Sequence, residues 1–310
     1  TQQAVLRSTR TSLAKVPTCT RLALVLAVMA TCGPYLSRTA NGSQLLAGVA
    51  KVDVTDRTAG PVNDPLYVKA LVMKSGSTTV VLITVDAVAI GEIGRITNDY
   101  LPTVRAELQK ELAVPPTNVV INASHCHGVV CTDLAEKTIE AVKSAAADLA
   151  PVTVGAGVGH EDRVMENRRM KLLSGREADV RHAYSFPPDE DVAAIGPVDP
   201  EIGLLRLDRE DGRTLAVVYN FACHPIQGAP SGGNTADMMG FASRVLEEGF
   251  GDGAIALFVQ GCAGDINPAG YKVVAQPRNA EHLGNMLGIS ALAAAKRIET
   301  ARNSQLAIVH

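Results

Sequence analysis

Two histidines stand one residue apart in Val119-Val-Ile-Asn-Ala-Ser-His-Cys-His127. Val119, Val120 and Ile121 have strand preference, and Ser124 onwards reads as a loop ending at Gly128. Along an extended backbone, alternation puts His125 and His127 on one side. Two imidazoles on one face at a strand's carboxyl end suit metal binding or proton transfer. The plainer alternative is two polar loop residues with no joint role. Leu215-Ala-Val-Val-Tyr-Asn-Phe-Ala-Cys-His224-Pro225 repeats the design, an apolar run closed by His and then Pro. Ala254-Ile-Ala-Leu-Phe-Val-Gln-Gly-Cys-Ala-Gly-Asp-Ile-Asn-Pro268 runs from a strand into a polar, Gly-rich loop. In α/β sheets, ligand sites lie outside the carboxyl ends of strands. Three such ends bearing His, His and Asp/Asn make a more specific signal than one.

The elements that must position these groups follow from periodicity. Leu46 to Thr55, Tyr67 to Met73 and Thr78 to Val85 alternate as strands, the last two joined by the hairpin signal Lys74-Ser-Gly-Ser77. Asn98 to Leu112 has helical spacing, with Leu101, Val104, Leu108 and Leu112 on one face, and Pro115-Pro116 stops it. Thr132-Asp133 can cap a second helix, Leu134 to Leu149, before a strand at Val152 to Val158. His160 to Arg169 is polar and reads by default as solvated surface. Gly175 to Pro200 reads as a long loop over the sheet, a candidate lid. Glu201 to Leu207 and Arg213 to Phe221 form an antiparallel pair, so the sheet is mixed. Gln227 to Asn234 is a loop, Met238 to Gly249 a helix, Ala280 to Ala301 a long Ala-rich helix, and Leu306 to Val309 a final strand. The fold class is therefore α/β, a mixed β-sheet layered with helices and with site loops at strand carboxyl ends.

The 310 residues suffice for one large domain or two small ones. Trp is absent and aromatics are few, so the core must be aliphatic. A net charge of -3 without a basic block argues against a nucleic-acid partner. No stretch is long and apolar enough for a membrane span. Arg7, Arg10, Lys15 and Arg21 precede the apolar run Leu22 to Ala30, the pattern of a signal segment, with a packed amino-terminal helix as the alternative. The expected division is an export segment at 1–40 and one domain at 41–310, giving a secreted or periplasmic protein. Of the six Cys, 126, 131, 223 and 262 fall near the candidate loops; small buried thiols are expected, with pairing of Cys126 to Cys131 or Cys223 to Cys262 the alternative in an oxidising compartment. Asn41-Gly-Ser and Asn122-Ala-Ser match the glycosylation triplet, the second inside the candidate site.

Asn122-Ala-Ser-His-Cys-His, Asn220-Phe-Ala-Cys-His-Pro, Thr235-Ala-Asp-Met-Met-Gly-Phe-Ala242 and Phe258-Val-Gln-Gly-Cys-Ala-Gly-Asp-Ile-Asn-Pro268 occur in the order seen in the neutral/alkaline, non-lysosomal ceramidase family. From about Leu46 to about Ala301 the chain resembles the amino-terminal catalytic region of such a protein. The resemblance implies that His125 and His224 are zinc ligands and that His127 assists proton transfer. It implies that Arg168, with Arg169 as the alternative alignment, reaches the catalytic centre. Asp86, Asp237 and Asp265 become site-adjacent; capping or turn roles are the alternative for Asp86 and Asp237.

Zinc catalysis typically uses three protein ligands and an open position for water. The family completes its zinc shell with a Glu and a Tyr that would lie beyond His310, so the domain is expected to be incomplete at its carboxyl end. Two departures stand out. The family's second His is followed by Ser-Gly-Pro, here Gly128-Val129-Val130, and a catalytic Ser is replaced by Asn267. Asn cannot be that nucleophile but can donate to an oxyanion. The implied function is zinc-dependent hydrolysis of an N-acyl amide bond in a lipid, including one presented at a membrane surface, or in another acylated molecule. Arg168 and Asn267 would then stabilise the oxyanion or orient the substrate. The alternative is a secreted, non-catalytic structural or binding protein, assembling or not, on the same fold. A zinc esterase or peptidase is a third reading.

Overall fold

The computed structural model describes residues 44–179, 187–228, 233–271, 279–302 and 305–309. The candidate export segment, with Cys19, Cys32 and Asn41, lies outside them. So do parts of the Gly175 to Pro200 and Gln227 to Asn234 segments.

The amino-terminal half contributes β1 (Leu46–Asp53), β2 (Tyr67–Ser75), β3 (Thr78–Val85), α1 (Tyr100–Leu112), β4 (Val119–Ala123) and α2 (Leu134–Ala147). Next come β5 (Ala150–His160), β6 (Met165–Asn167), β7 (Arg169–Leu172), β8 (Glu177–Asp179), β9 (Val192–Ile195), β10 (Glu201–Arg209) and β11 (Thr214–Phe221). The chain closes with α3 (Asp237–Phe250), β12 (Ile255–Gln260), β13 (Ile266–Pro268) and α4 (Ala280–Ala295). Eight strands form one mixed sheet in the order β12-β11-β10-β5-β1-β2-β3-β4. Only β3/β4 and β11/β12 run parallel, each pair joined through a helix.

This sheet is folded over on itself. β1 and β5 pair at only two positions, Leu46 with Pro151 and Ala47 with Ala150, so the ladder hinges there. The two halves then face each other across an aliphatic layer containing Leu71, Met73, Leu82, Leu207, Leu215 and Leu257. Strand alternation sends the other side chains outward. Val68, Ile83 and Ile121 meet Val104 and Leu108 of α1 and Val142 of α2. Val217, Tyr219 and Phe258 meet Met238 and Leu246 of α3 and Leu287 of α4. The architecture is four layers, helix, sheet, sheet, helix, and the two parallel strand pairs come from opposite layers. On α4, an added Cβ at Gly284 would sit 2.5 Å from the Met238 carbonyl oxygen, so glycine permits the close approach of α3 and α4.

On the inner face, the apolar row gives way to Lys51, Lys69, Thr84 and Asn122 towards the site. β12 is an edge strand whose outer backbone groups would otherwise be unpaired. Lys69 Nζ donates to the Ala256 carbonyl at 2.8 Å, and Thr84 Oγ1 to the Phe258 carbonyl at 2.8 Å. Glu247 of α3 meets Lys69 at 3.1 Å and Lys51 at 2.7 Å, so one carboxylate is shared between two lysines at the layer's edge.

Several expectations are corrected. His160 to Arg169 is not uniformly solvated: Glu161 is buried against Arg163 and Ser290. Gly175 to Pro200 is not plain loop, because β8 and β9 pair with β7 in a small sheet. The last helix ends at Ala295, and the Leu306 to Val309 strand does not form, although Leu306 and Ile308 pack on the inner layer. Asp133 makes no side-chain cap to α2. Among the described residues, no helix is long and apolar enough to cross a membrane.

Candidate metal centre

His125 is held by the extension of β3 past its partner strand. Ser124 N–H donates to the Val85 carbonyl and His125 N–H to the Ala87 carbonyl, both at 2.9 Å. The backbone then turns through the left-handed region, with φ 67° at His125. A non-glycine residue there costs about 1–2 kcal/mol. Simple strand alternation therefore does not orient the two histidines; this turn does. The His125 ring is fixed as well, with Nδ1 2.6 Å from the Val88 carbonyl oxygen. A carbonyl only accepts, so Nδ1 carries the proton and Nε2 presents its lone pair.

His224 comes from the opposite layer, past the end of β11. Its N–H donates to the Ile266 carbonyl at 2.9 Å, and the Ile226 N–H returns to its carbonyl across Pro225. Burial, reinforced by His125 and His127, pushes the His224 imidazole down to about 4, against a smaller opposing hydrogen bond to Ala263. Its Nδ1 is buried and makes no hydrogen bond. His127 is the most exposed of the three and is also lowered, by desolvation and then by His125.

The three rings converge. Centroids lie 4.4 Å apart for His125 and His224, and 5.6 Å for His127 to either neighbour. One nitrogen from each falls within 4.8 Å of the other two. Around a tetrahedral ion with bonds of about 2.0–2.1 Å, such nitrogens stand about 3.3 Å apart, a modest closure from here. The donor set fits a metal: the rings are neutral at neutral pH where their shifts are set, one tautomer is fixed, and one buried nitrogen lacks a partner. His127, which the resemblance gives a proton-transfer role, lies within reach of the same ion.

Asn267 lies on β13, directly after the residue that holds the His224 backbone. It is wholly buried, and neither its Oδ1 nor its Nδ2 has a partner. Buried amides are normally paired, so an unpaired one is costly. Arg168 N–H donates to the Asp265 carbonyl at 2.8 Å, and its guanidinium is close enough to disfavour charge on His224. Its side chain is 11% exposed and faces Asp179 at 3.1 Å, whereas Arg169 is 63% exposed and turns to Asp265. The Asp265 carboxylate is therefore engaged with Arg169. Asp86 accepts from Tyr67 N–H at 2.9 Å and its own N–H donates to the Tyr67 carbonyl, bracing the end of β3 behind the histidines. Burial raises its pKa, partly offset by Lys69. Asp237, with φ 57°, gathers the N–H groups of Gln227, Gly228 and Met238 and shapes the loop after His224.

Sequence reasoning missed Asp64. It accepts from the Thr235 hydroxyl and from Ala236 N–H, and burial raises it to about 6. It also missed Gln260 and the Val88 carbonyl, which no residue type announces. Cys126, Cys131, Cys223 and Cys262 are all free, and Cys262 is exposed rather than buried.

No protein-family model and no curated protein matches the sequence. Among solved structures, the chain is similar to the neutral ceramidase from Pseudomonas aeruginosa, with a TM-score of 0.63 and 20% identity, covering 83% of this chain and 45% of that one. It is also similar to a ceramidase complexed with C2, with a TM-score of 0.61 and 20% identity over 83% and 44% of the two chains. At that identity the likeness is one of fold. The chain spans less than half the length of either structure.

Proposed function

We propose that the protein is a zinc-dependent hydrolase of N-acyl amide bonds, with a lipid or another acylated molecule as substrate. The observation that carries this reading is the convergence of His125, His127 and His224 from two sheet layers, each within ligand reach of the others. His125 and His224 are the better buried donors, and His127 stands at the exposed side. Bound by His125 and His224, zinc would supply Lewis-acid polarisation of a carbonyl and a lowered pKa for water. The chain's own groups do the rest. Neutral His127, exposed on one side, can take a proton from the attacking water and return it to the departing amine. Asn267 Nδ2 and the Arg168 guanidinium can donate to the oxygen on which negative charge develops. The fold likeness to ceramidases supports an acylated lipid as the substrate class. Export through the Arg7 to Ala30 segment belongs to the same reading.

The test is amine release from short-chain N-acyl amides, including an N-acyl sphingoid base, by zinc-supplied protein. Hydrolysis should fall by about a hundredfold or more in Asn267→Ala, as loss of one oxyanion donor does. Stoichiometric metal with no release from amide or ester would overturn it. That outcome would favour the second reading, a non-catalytic binding or structural protein, which rests on Asn267 standing where the resembled family has Ser.

A further inference from the structure

The two halves of the imidazole cluster sit on opposite layers, and no backbone ladder joins β4 to β12, the two outermost strands of the folded sheet. Side chains bridge that seam. Asn122 lies on the inner face of β4, three residues before His125. Its Nδ2 donates to the Phe258 carbonyl at 2.8 Å, and its Oδ1 accepts from Gln260 N–H at 3.1 Å. Gln260, the last residue of β12, then reaches sideways. Its Nε2 donates to the Cys223 carbonyl at 3.3 Å and to the Gly261 carbonyl at 3.0 Å. The Cys223 carbonyl belongs to the peptide that leads into His224. A polar path thus runs from the His125 strand, through two side-chain amides, to the His224 strand.

We propose that Asn122 and Gln260 are positioning residues that hold His125 and His127 in register with His224 across the seam between the layers. The functional meaning rests on the metal-centre reading above; the mechanical claim does not. Two further observations support it. Gln260 Oε1 is buried without a partner, so this amide is kept for its donor despite an unsatisfied acceptor. Both polar atoms of Asn122 are engaged, and Ser124 is wholly buried. The Asn122-Ala-Ser124 triplet thus lies inside the seam, with Asn122 Nδ2 engaged by the Phe258 carbonyl.

The test uses Gln260→Met and Asn122→Leu, apolar replacements of similar length that add no charge. Asn220→Leu is the control, because Asn220 bonds the Val259 carbonyl without crossing the seam. In metal-free protein carrying labelled histidine, Gln260→Met should move imidazole resonances of His125 as well as His224, and Asn122→Leu those of His224 as well as His125. Cobalt(II) affinity should fall by about tenfold or more in either variant, the usual effect of removing a group that orients a ligand. The double variant should be little worse than the worse single one. Melting temperature is recorded alongside, and a variant that fails to fold is replaced by Asn122→Thr or Gln260→Leu. Resonance changes confined to the mutated strand would overturn the proposal, as would unchanged cobalt affinity. If the parent protein binds no cobalt, the metal reading fails, and the metal-free spectra still decide whether the bridge couples the layers.

Discussion

The His224 imidazole makes the metal-free protein acid-sensitive in a way that can be sized. Burial and two neighbouring imidazoles bring it from 6.5 down to about 4 in the folded chain. Between those values the unfolded chain binds a proton that the folded chain refuses. Stability is therefore intact above pH 6.5, falls as the pH drops towards 4, and levels off below. At pH 4.5 the full shift would correspond to roughly 2.6 kcal/mol. The ring keeps some contact with water, so about 2 kcal/mol is the expectation after screening. The perturbation is His224→Gln, which keeps a polar planar group and removes the titration. Guanidinium unfolding with a chelator present, at pH 7.5 and 4.5, gives a double difference in which common carboxylate effects cancel. The parent should lose about 2 kcal/mol more than the variant on acidification. Parallel pH dependences would refute the argument that this imidazole is desolvated and crowded by like groups.

Asp64 titrates in the opposite sense. Raised to about 6 by burial, it holds a proton in the folded chain that the unfolded chain has already lost, so its contribution fades as the pH rises from 3.8 through 6. Asp64→Asn should gain about 2 kcal/mol on the parent between pH 4 and 7.5 in the same unfolding assay; a constant difference would count against it. Glu247→Gln leaves Lys69 buried without a full counter-charge and should cost about 3 kcal/mol, with partial recovery when Lys69→Met is added. Gly284→Ala sets helix propensity, worth about 1 kcal/mol in favour of Ala, against a Cβ only 2.5 Å from the Met238 carbonyl oxygen. The clash should win by about 1–2 kcal/mol and lower the melting temperature.

Elements with one clean period were readable. The β2–β3 hairpin turns at the Gly76 signal, α1 follows its Val104 and Leu108 spacing, and the strands ending near His125, His224 and Gln260 were all in the apolar runs. The site loops at carboxyl ends followed from those runs. What could not be read was the doubling of the sheet. It depends on a two-residue contact between β1 and β5, and alternation alone does not say which neighbour covers a face. The same limit hid Gln260 and the bridging role of Asn122, which are visible only once β4 and β12 meet. His125 shows a further gap. Its side chain was placed by strand alternation, but a left-handed turn sets it, and nothing in Ser-His-Cys-His marks such a turn. Glu161 was assigned to solvent by polarity, whereas its partners Arg163 and Ser290 make its burial affordable.

The central claim is that His125 and His224, brought together from two layers, hold one metal ion. Elemental analysis of purified, untagged protein after zinc exposure and exhaustive buffer exchange tests it most directly. About one zinc per chain, lost in both His125→Ala and His224→Ala while each variant stays folded, is the predicted result. No bound metal in the parent, or full occupancy retained in both variants, would contradict it.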